Sequence, residues 1–498
     1  MPFTTQLFTF GFFPICMFLY YVFAILEKKS PLKKFLKKYR ATDLVLIGIS
    51  ACFYLWACFD DLFRFGAYIL LVYLLGRIIQ SLRRKNYYLV AVNSGGNDNE
   101  KRLSLALPIF FLSIAFIVFM LVHYKYTGFL ARAWNFFAKD TLSGKSIIAP
   151  LGISFITFSA ISYLSDIYTG KANAGSLIDC ALYISFFPKV VSGPIILWRD
   201  FCGQTRERKI TLNLISRGVS RIMIGFVKKL ILADTFGACV ASASSSVDVG
   251  TAWGISLLYM LQIYYDFSGY SDIAIGLSTM LGFSVKENFN FPYISCSITE
   301  FWRRWHISLG TWFREYIYFP LGGSKKGKTR AIINVAIVFV LTGIWHGAGW
   351  AYMLWGIING ACNIFEKIVA DKNWYIKTPR ILKWGATMGI TFFCWELFRF
   401  SSFSLSIEWF KTMFGMGAYL NIPYTWQYYF DTQIIVFAII AIIGATVFGL
   451  PKIQSAYKRL VESPYGYFIN QLILIVLFVV SILFMINSTY SPFIYFQY

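Results

Sequence analysis

Apolar runs of about 17 to 25 residues recur from one end of this chain to the other, each long enough to cross a hydrocarbon core of ~30 Å. Such a core offers no water to the backbone, so only helices or closed barrels can span it. The runs are continuously apolar rather than alternating, which excludes a β-barrel. The sequence therefore reads as an all-α polytopic membrane protein, one integral domain over residues 1–498. Only 14% of its residues are charged, against about a quarter in soluble domains.

The formal net charge of +22 does not signal nucleic-acid binding, because the basic residues sit in short loops between apolar runs. That is the positive-inside pattern of cytoplasmic loops. Attraction to anionic lipid head groups, or to a phosphate-bearing cytoplasmic donor, stays compatible with it. Nine cysteines are scattered, with no Cys-x-x-Cys pair, so neither a disulfide framework nor a metal site is indicated.

Residues 5–26 lack a basic leading region and a small-residue cleavage site, and read as a retained first span rather than a signal peptide. Seven basic residues follow within 28–40, which makes that loop cytoplasmic and the N-terminus extracytoplasmic in the cell membrane. Runs 43–59 and 62–79 form a hairpin tipped by Asp60 and Asp61. The stretch 93–101 is a cytoplasmic loop, and 103–124 crosses again. Between 125 and 209 the pattern changes. PLGISFITFSAISYLSDIYTGK is too polar for a lipid-facing helix, and FFPKVVSGPI puts Pro188, Gly193 and Pro194 inside a would-be span. Broken or re-entrant helices are expected there, lying against protein or a wet cavity.

Arg217, Arg221 and Lys228 recur at helical spacing; they read as the wet face of an interfacial helix, or as a positive rim to a donor entrance. In QIYYDFSGYSDIAIGLSTMLGF, small residues allow close helix approach. Asp266 and Asp272, with Ser268 and Tyr270, are candidate substrate contacts there, unless the acids hold a neighbouring Arg or a backbone amide.

The densest chemistry lies in 288–350, which carries two of the three histidines, His306 and His346. In TEFWRRWHISLGTWFREY, Trp302, His306, Leu309 and Phe313 fall on one stripe of a helix. Trp302, Arg303, Trp305 and Arg314, and further on Trp345, are candidate substrate contacts; with Glu300, Arg304 and Glu315 present, the helix either lies at the interface or is buried with its ions paired. FPLGGSKKGKTR follows, where Lys325, Lys326, Lys328 and Arg330 could meet a donor's phosphates, although a positive-inside stop is the plainer reading. If Arg330 marks the interface, sixteen residues at 1.5 Å each place His346 about 24 Å across the membrane, beside Trp345 and flanked by Gly343, Gly347 and Gly349 that would admit a substrate to the backbone. With no Ser–His–Asp, Cys or metal-ligand pattern around it, His346 reads as a general base that activates a hydroxyl toward an acyl group. His123, at a span end, reads as interfacial.

PLGISFITFSAISYLSDIY, FFPKVVSGPI, FWRRWHISLGTWFREYIYFPLGG, LTGIWHGAGW, WELFRF and the closing SPFIYFQY together resemble the membrane-bound O-acyltransferases nearly end to end. The nearest branch is that of the alginate O-acetyltransferase membrane subunit and of enzymes that acetylate cell-wall or secreted polysaccharide. The resemblance implies a ring of about eleven tilted helices plus re-entrant segments around a central pore with a funnel on each side. It implies His346 as the principal catalytic histidine and His306 as the second. It further implies a thioester donor substrate, acetyl-CoA or an acyl carrier, with no tightly bound cofactor, an extracytoplasmic polysaccharide acceptor, and a secreted-side acyltransferase or esterase-like partner. D-alanyl transfer toward teichoic acid is the enzymatic alternative. A proton-coupled transporter or flippase using Asp266, Asp272 and His346 is the alternative of another class, although no two halves with matching broken helices are found.

Overall fold

The computed structural model describes residues 3–29, 40–57, 61–93, 105–138, 149–243, 247–400, 402–416, 425–487 and 493. Asp60, most of the basic loop 28–40, residues 94–101 of the expected loop and most of the closing SPFIYFQY lie outside the described residues. Those described form helices and connecting turns, with no strand among them. Six helical stretches are long and apolar enough to cross a membrane: Leu7–Glu27, Leu62–Arg84, Ala106–Asn135, Lys328–His346, Thr432–Gly449 and Pro464–Asn487. Their outward side chains, such as Phe111, Leu112, Ile439 and Ile473, are exposed, while many polar groups are buried. That is the inverse of a soluble protein and the expected pattern where lipid is the solvent.

Contacts divide the chain into two units. The first comprises Leu7–Ile215 and Ser278–Val285. Here the polar stretch around 150–171 forms the helix Ile153–Thr169, which points its polar groups inward. Ser162 Oγ accepts from the Trp198 amide at 2.9 Å, and Asp166 Oδ2 from the Arg199 amide at 3.0 Å. The expected breaks follow: Leu177–Ser185 is nine residues long and starts in a capping box formed by Ser176 and Asp179. After a kink at Phe186, Phe187–Val190 and Trp198–Cys202 are single turns. None of these is long enough to span a ~30 Å core.

The second unit comprises Pro2–Gln6, Ser216–Leu277 and Lys286–Tyr498, and it holds every residue of the site. Its longest helix, Val249–Met280, packs on the stretch that carries Arg221 and Lys229. A Cβ on Gly269 would sit 2.9 Å from the Gly225 carbonyl, so this close approach excludes a side chain, as the small-residue pattern anticipates. The hairpin Lys328–His346 and Trp350–Val369 closes in the same way. Gly343 and Gly356 face one another, and a Cβ on Gly343 would meet the Tyr352 carbonyl at 2.5 Å. Gly347 lies against the Tyr352 ring. Gly343 and Gly347 thus serve helix packing, which corrects their reading as openings for a substrate.

Candidate active site

The stretch 298–313 is not one helix. Ile298–Arg304 and Ile307–Phe313 are separated at His306, whose φ of 46° is left-handed. The expected single stripe through Trp302, His306, Leu309 and Phe313 is therefore broken, and the cause is Asn288. Its backbone carbonyl takes the Ile307 amide at 2.9 Å, and its side-chain Oδ1 takes the Ser308 amide at 3.2 Å. A continuing helix would have sent those two N–H groups to the carbonyls of residues 303 and 304. The Arg304 carbonyl instead receives the Asn290 amide at 2.9 Å.

The first of these helices is anchored at its start. Ser297 caps the Glu300 amide at 3.0 Å, and Glu366 accepts from the Ile298 and Thr299 amides at 2.5 and 2.8 Å. Arg304 is paired with Glu300 at 2.9 Å, both side chains part-exposed, while Ile298 and Phe301 face the interior. Arg314–Tyr318 continues the second helix with a wider π-helical turn.

Between these elements and the hairpin lies a cavity of about 450 Å³. Trp302, Arg303, Trp305 and His306 form one wall, and Thr311, Arg314 and Tyr318 another. Val335, Val338, Phe339 and Thr342 of the His346 helix and Asn363 and Lys367 of the next complete it. A mostly apolar cavity with a few convergent polar groups is the ordinary form of a small-molecule site. His306 is 2% exposed and lies outside the apolar spans; burial pushes its imidazole down to about 3, so it is neutral at physiological pH.

His346 ends the helix Lys328–His346 and is 5% exposed. Its ring is enclosed by Trp345, Trp355 and Phe398, with centroids 4.8, 5.0 and 5.1 Å away. It does not itself line the cavity. Trp302, on the cavity wall, packs on Trp355 at 5.5 Å, so two indoles lie along the contact path from the cavity to His346.

The remaining sequence candidates lie elsewhere in this unit. Lys229 bridges Asp266 at 2.7 Å and Asp234 at 2.6 Å. Asp272 is held by Arg221 at 2.7 Å and Lys228 at 2.8 Å, and Arg221 also pairs with Glu287. Arg221 and Lys228, read from the sequence as a wet face or a donor rim, are thus carboxylate partners. Ser268 and Tyr270 are buried on the same helix, Tyr270 stacked between Phe3 and Phe493 at 4.8 and 4.6 Å. Lys325, Lys326 and Lys328 are exposed, and Arg330 donates to the Leu321 carbonyl at 3.0 Å. None of these lines the cavity; the cations that do are Arg303, Arg314 and Lys367. Sequence reasoning missed Asn288, Asn363, Trp355 and Phe398. Of these only Asn288 had a signal, an amide side chain just before the FNFP turn.

Two buried histidines on helix ends, one of them in the wall of a cavity lined by three cations, make this the candidate site of a multi-pass membrane protein. Residues 3–407 match the profile of the membrane-bound O-acyltransferase family, and the chain belongs to that family. It is an acyltransferase of the membrane. Over 519 residues it is 34% identical to a probable alginate O-acetylase of Pseudomonas putida, covering 100% of both chains. It is 32% identical over 336 residues to a peptidoglycan O-acetyltransferase of Helicobacter pylori, covering 60% of this chain and 63% of that protein. A teichoic acid D-alanyltransferase of Bacillus subtilis is 30% identical over 298 residues, 55% of this chain and 74% of that one.

Proposed function

We propose that the protein moves an acetyl group from a cytoplasmic thioester, acetyl-CoA or an acyl carrier, to hydroxyls of an exported or cell-wall polysaccharide. In this reading it sits in the plasma or inner membrane with its N-terminus outside, and hands the acyl group to the acceptor with a secreted-side acyltransferase or esterase-like partner. The observation that carries the reading is that two buried imidazoles share the Trp345 indole as a neighbour, one of them in the wall of a cavity bearing Arg303, Arg314 and Lys367. Guanidinium and ammonium groups there suit the phosphate of a pantetheine-type donor.

In the transfer, His346 takes the proton of the attacking hydroxyl as its oxygen forms the bond to the thioester carbonyl carbon. The carbon–sulfur bond then breaks and the thiolate leaves, taking the proton that His346 received, which returns the imidazole to its neutral form. General-base catalysis of this kind contributes about 10²- to 10⁴-fold. The aromatic enclosure of His346 excludes bulk water and favours the alcohol over hydrolysis. Full-length similarity to a protein named for O-acetylation supports acetyl over D-alanyl transfer, which is matched over about half of the chain.

The test is mass spectrometry of surface glycans from cells that carry wild-type or His346→Ala protein. Loss of O-acetyl esters is expected; unchanged ester content overturns the reading, and loss of D-alanyl esters alone moves it to teichoic acid.

A further inference from the structure

We propose that Asn288 is a positioning residue. Its side-chain carbonyl locks the His306 imidazole as the Nδ1–H tautomer and leaves a bare Nε2 lone pair for an N–H or O–H group of the substrate held in the cavity.

The argument begins with which end of the Asn288 amide is oxygen. The Ser308 backbone N–H, which can only donate, lies 3.2 Å from Oδ1, and the Ser308 hydroxyl donates to the same atom at 2.8 Å. At the other end, Nδ2 donates to Ser271 Oγ at 3.0 Å. The amide is thereby oriented without the usual ambiguity of an asparagine flip. His306 Nδ1 stands 3.1 Å from this same Oδ1. An oxygen with no proton of its own can only accept, so Nδ1 carries the hydrogen and Nε2 does not.

Nε2 has no hydrogen-bond partner among the described residues, and His306 lines the cavity. A histidine kept only for packing has its second nitrogen satisfied, because an unmatched buried polar atom costs about 1–3 kcal/mol. Two aromatic rings stand against it, Phe267 edge-on at 4.7 Å and Trp345 at 6.5 Å. The charged groups of the cavity are Arg303, Arg314 and Lys367, with no carboxylate among its lining. Nothing there favours the imidazolium, which keeps Nε2 an acceptor. Asn288 is itself 1% exposed and also supplies the backbone contact that turns the chain at His306, so one residue sets both the place and the protonation of the ring. What the lone pair meets during turnover rests on the acyl-transfer reading; the tautomer does not.

The test uses full-length protein labelled with ¹⁵N-histidine in detergent micelles, with the His306 signals assigned by their loss in His306→Asn. Long-range ¹H–¹⁵N correlations should show a protonated Nδ1 and a bare Nε2 at pH 7. Asn288→Leu should turn this into an exchanging mixture of tautomers. Asn288→Asp should keep the tautomer and raise the midpoint of His306 protonation by at least about one pH unit, since a carboxylate favours the charged ring. In cells, Asn288→Leu should lower surface-ester content about tenfold or more, by analogy with the losses seen when a partner that orients a metal-ligating histidine is removed, while Asn288→Asp retains most of it.

A protonated Nε2 in the wild type overturns the proposal, as does an unchanged tautomer in Asn288→Leu. Wild-type ester content in Asn288→Leu, where His346→Ala has lost it, overturns the positioning role alone. Wild-type ester content in His346→Ala overturns the acyl-transfer reading and leaves the tautomer result standing.

Discussion

The imidazole of His306 and the indole of Trp345 lie 6.5 Å apart, centre to centre, and the same indole lies 4.8 Å from the ring of His346. The two histidines therefore share one neighbour, although forty residues separate them in sequence.

If both rings act on one reacting complex, their losses will not multiply. His346→Ala and His306→Asn are each expected to reduce ester formation by about 10²- to 10⁴-fold, and the double variant to be no worse than the poorer single one. Surface-glycan mass spectrometry of the three strains measures this, and multiplying losses would separate the two roles.

The cavity cations make a prediction with an internal control. Arg303→Gln, Arg314→Gln or Lys367→Gln should raise the half-saturating thioester concentration about tenfold with little change in kcat, and the penalty should shrink at high salt. Lys325→Gln and Lys326→Gln, outside the cavity, should change neither. The measurement is thioester consumption by the purified protein at varied donor concentration.

Lys229 stands between Asp266 and Asp234 with 6% of its side chain exposed. Removing the cation leaves two carboxylates without it in a dry setting, so Lys229→Met should cost about 3–5 kcal/mol of stability. Asp234→Asn, which leaves the Lys229–Asp266 pair, should cost less. Thermal unfolding in detergent followed by tryptophan fluorescence ranks the two.

The Gly343–Gly356 contact predicts that Gly343→Val fails to assemble the hairpin, since its Cβ would meet backbone rather than a flexible side chain. A Gly385→Ala substitution serves as the control, because nothing lies within 4 Å of the added atom. Yield of monodisperse protein after extraction distinguishes them.

His306 also gives stability a pH dependence. Its folded-state value of about 3 lies below the ~6.5 of a free histidine, so the unfolded chain binds the extra proton first. Stability is full above pH ~6.5 and falls as pH drops toward 3, by about 1.4 kcal/mol per unit. Relative to His306→Asn, the wild type should lose about 2 kcal/mol between pH 6.5 and 5, read from denaturation midpoints at each pH.

Much of the fold was legible because lipid imposes a simple rule on length and polarity. Four of the six apolar spans were placed from the chain, those around 7–27, 62–84, 106–135 and 328–346, and the seryl face of Ile153–Thr169 betrayed its burial. Pro188 and Gly193 announced the broken helices. The site was half legible. The two histidines stood out by rarity, but their surroundings depend on long-range contacts that no periodicity encodes. The interruption at His306 is made by Asn288, eighteen positions earlier, and helical spacing alone could not foresee it. The basic run 325–330, read first as a positive-inside stop and second as a donor contact, does not line the cavity, which collects one cation from each of three separate segments that no charge run marks.

The left-handed backbone at His306 limits what evolution or a designer can put there. Branched and bulky residues are poorly tolerated at such an angle, while asparagine adopts it readily. A chain that exchanged this imidazole for an asparagine would keep its bend and replace a titratable ring nitrogen with an amide that neither takes up nor releases a proton. One codon at this position therefore separates the shape of the turn from whatever proton chemistry the ring performs.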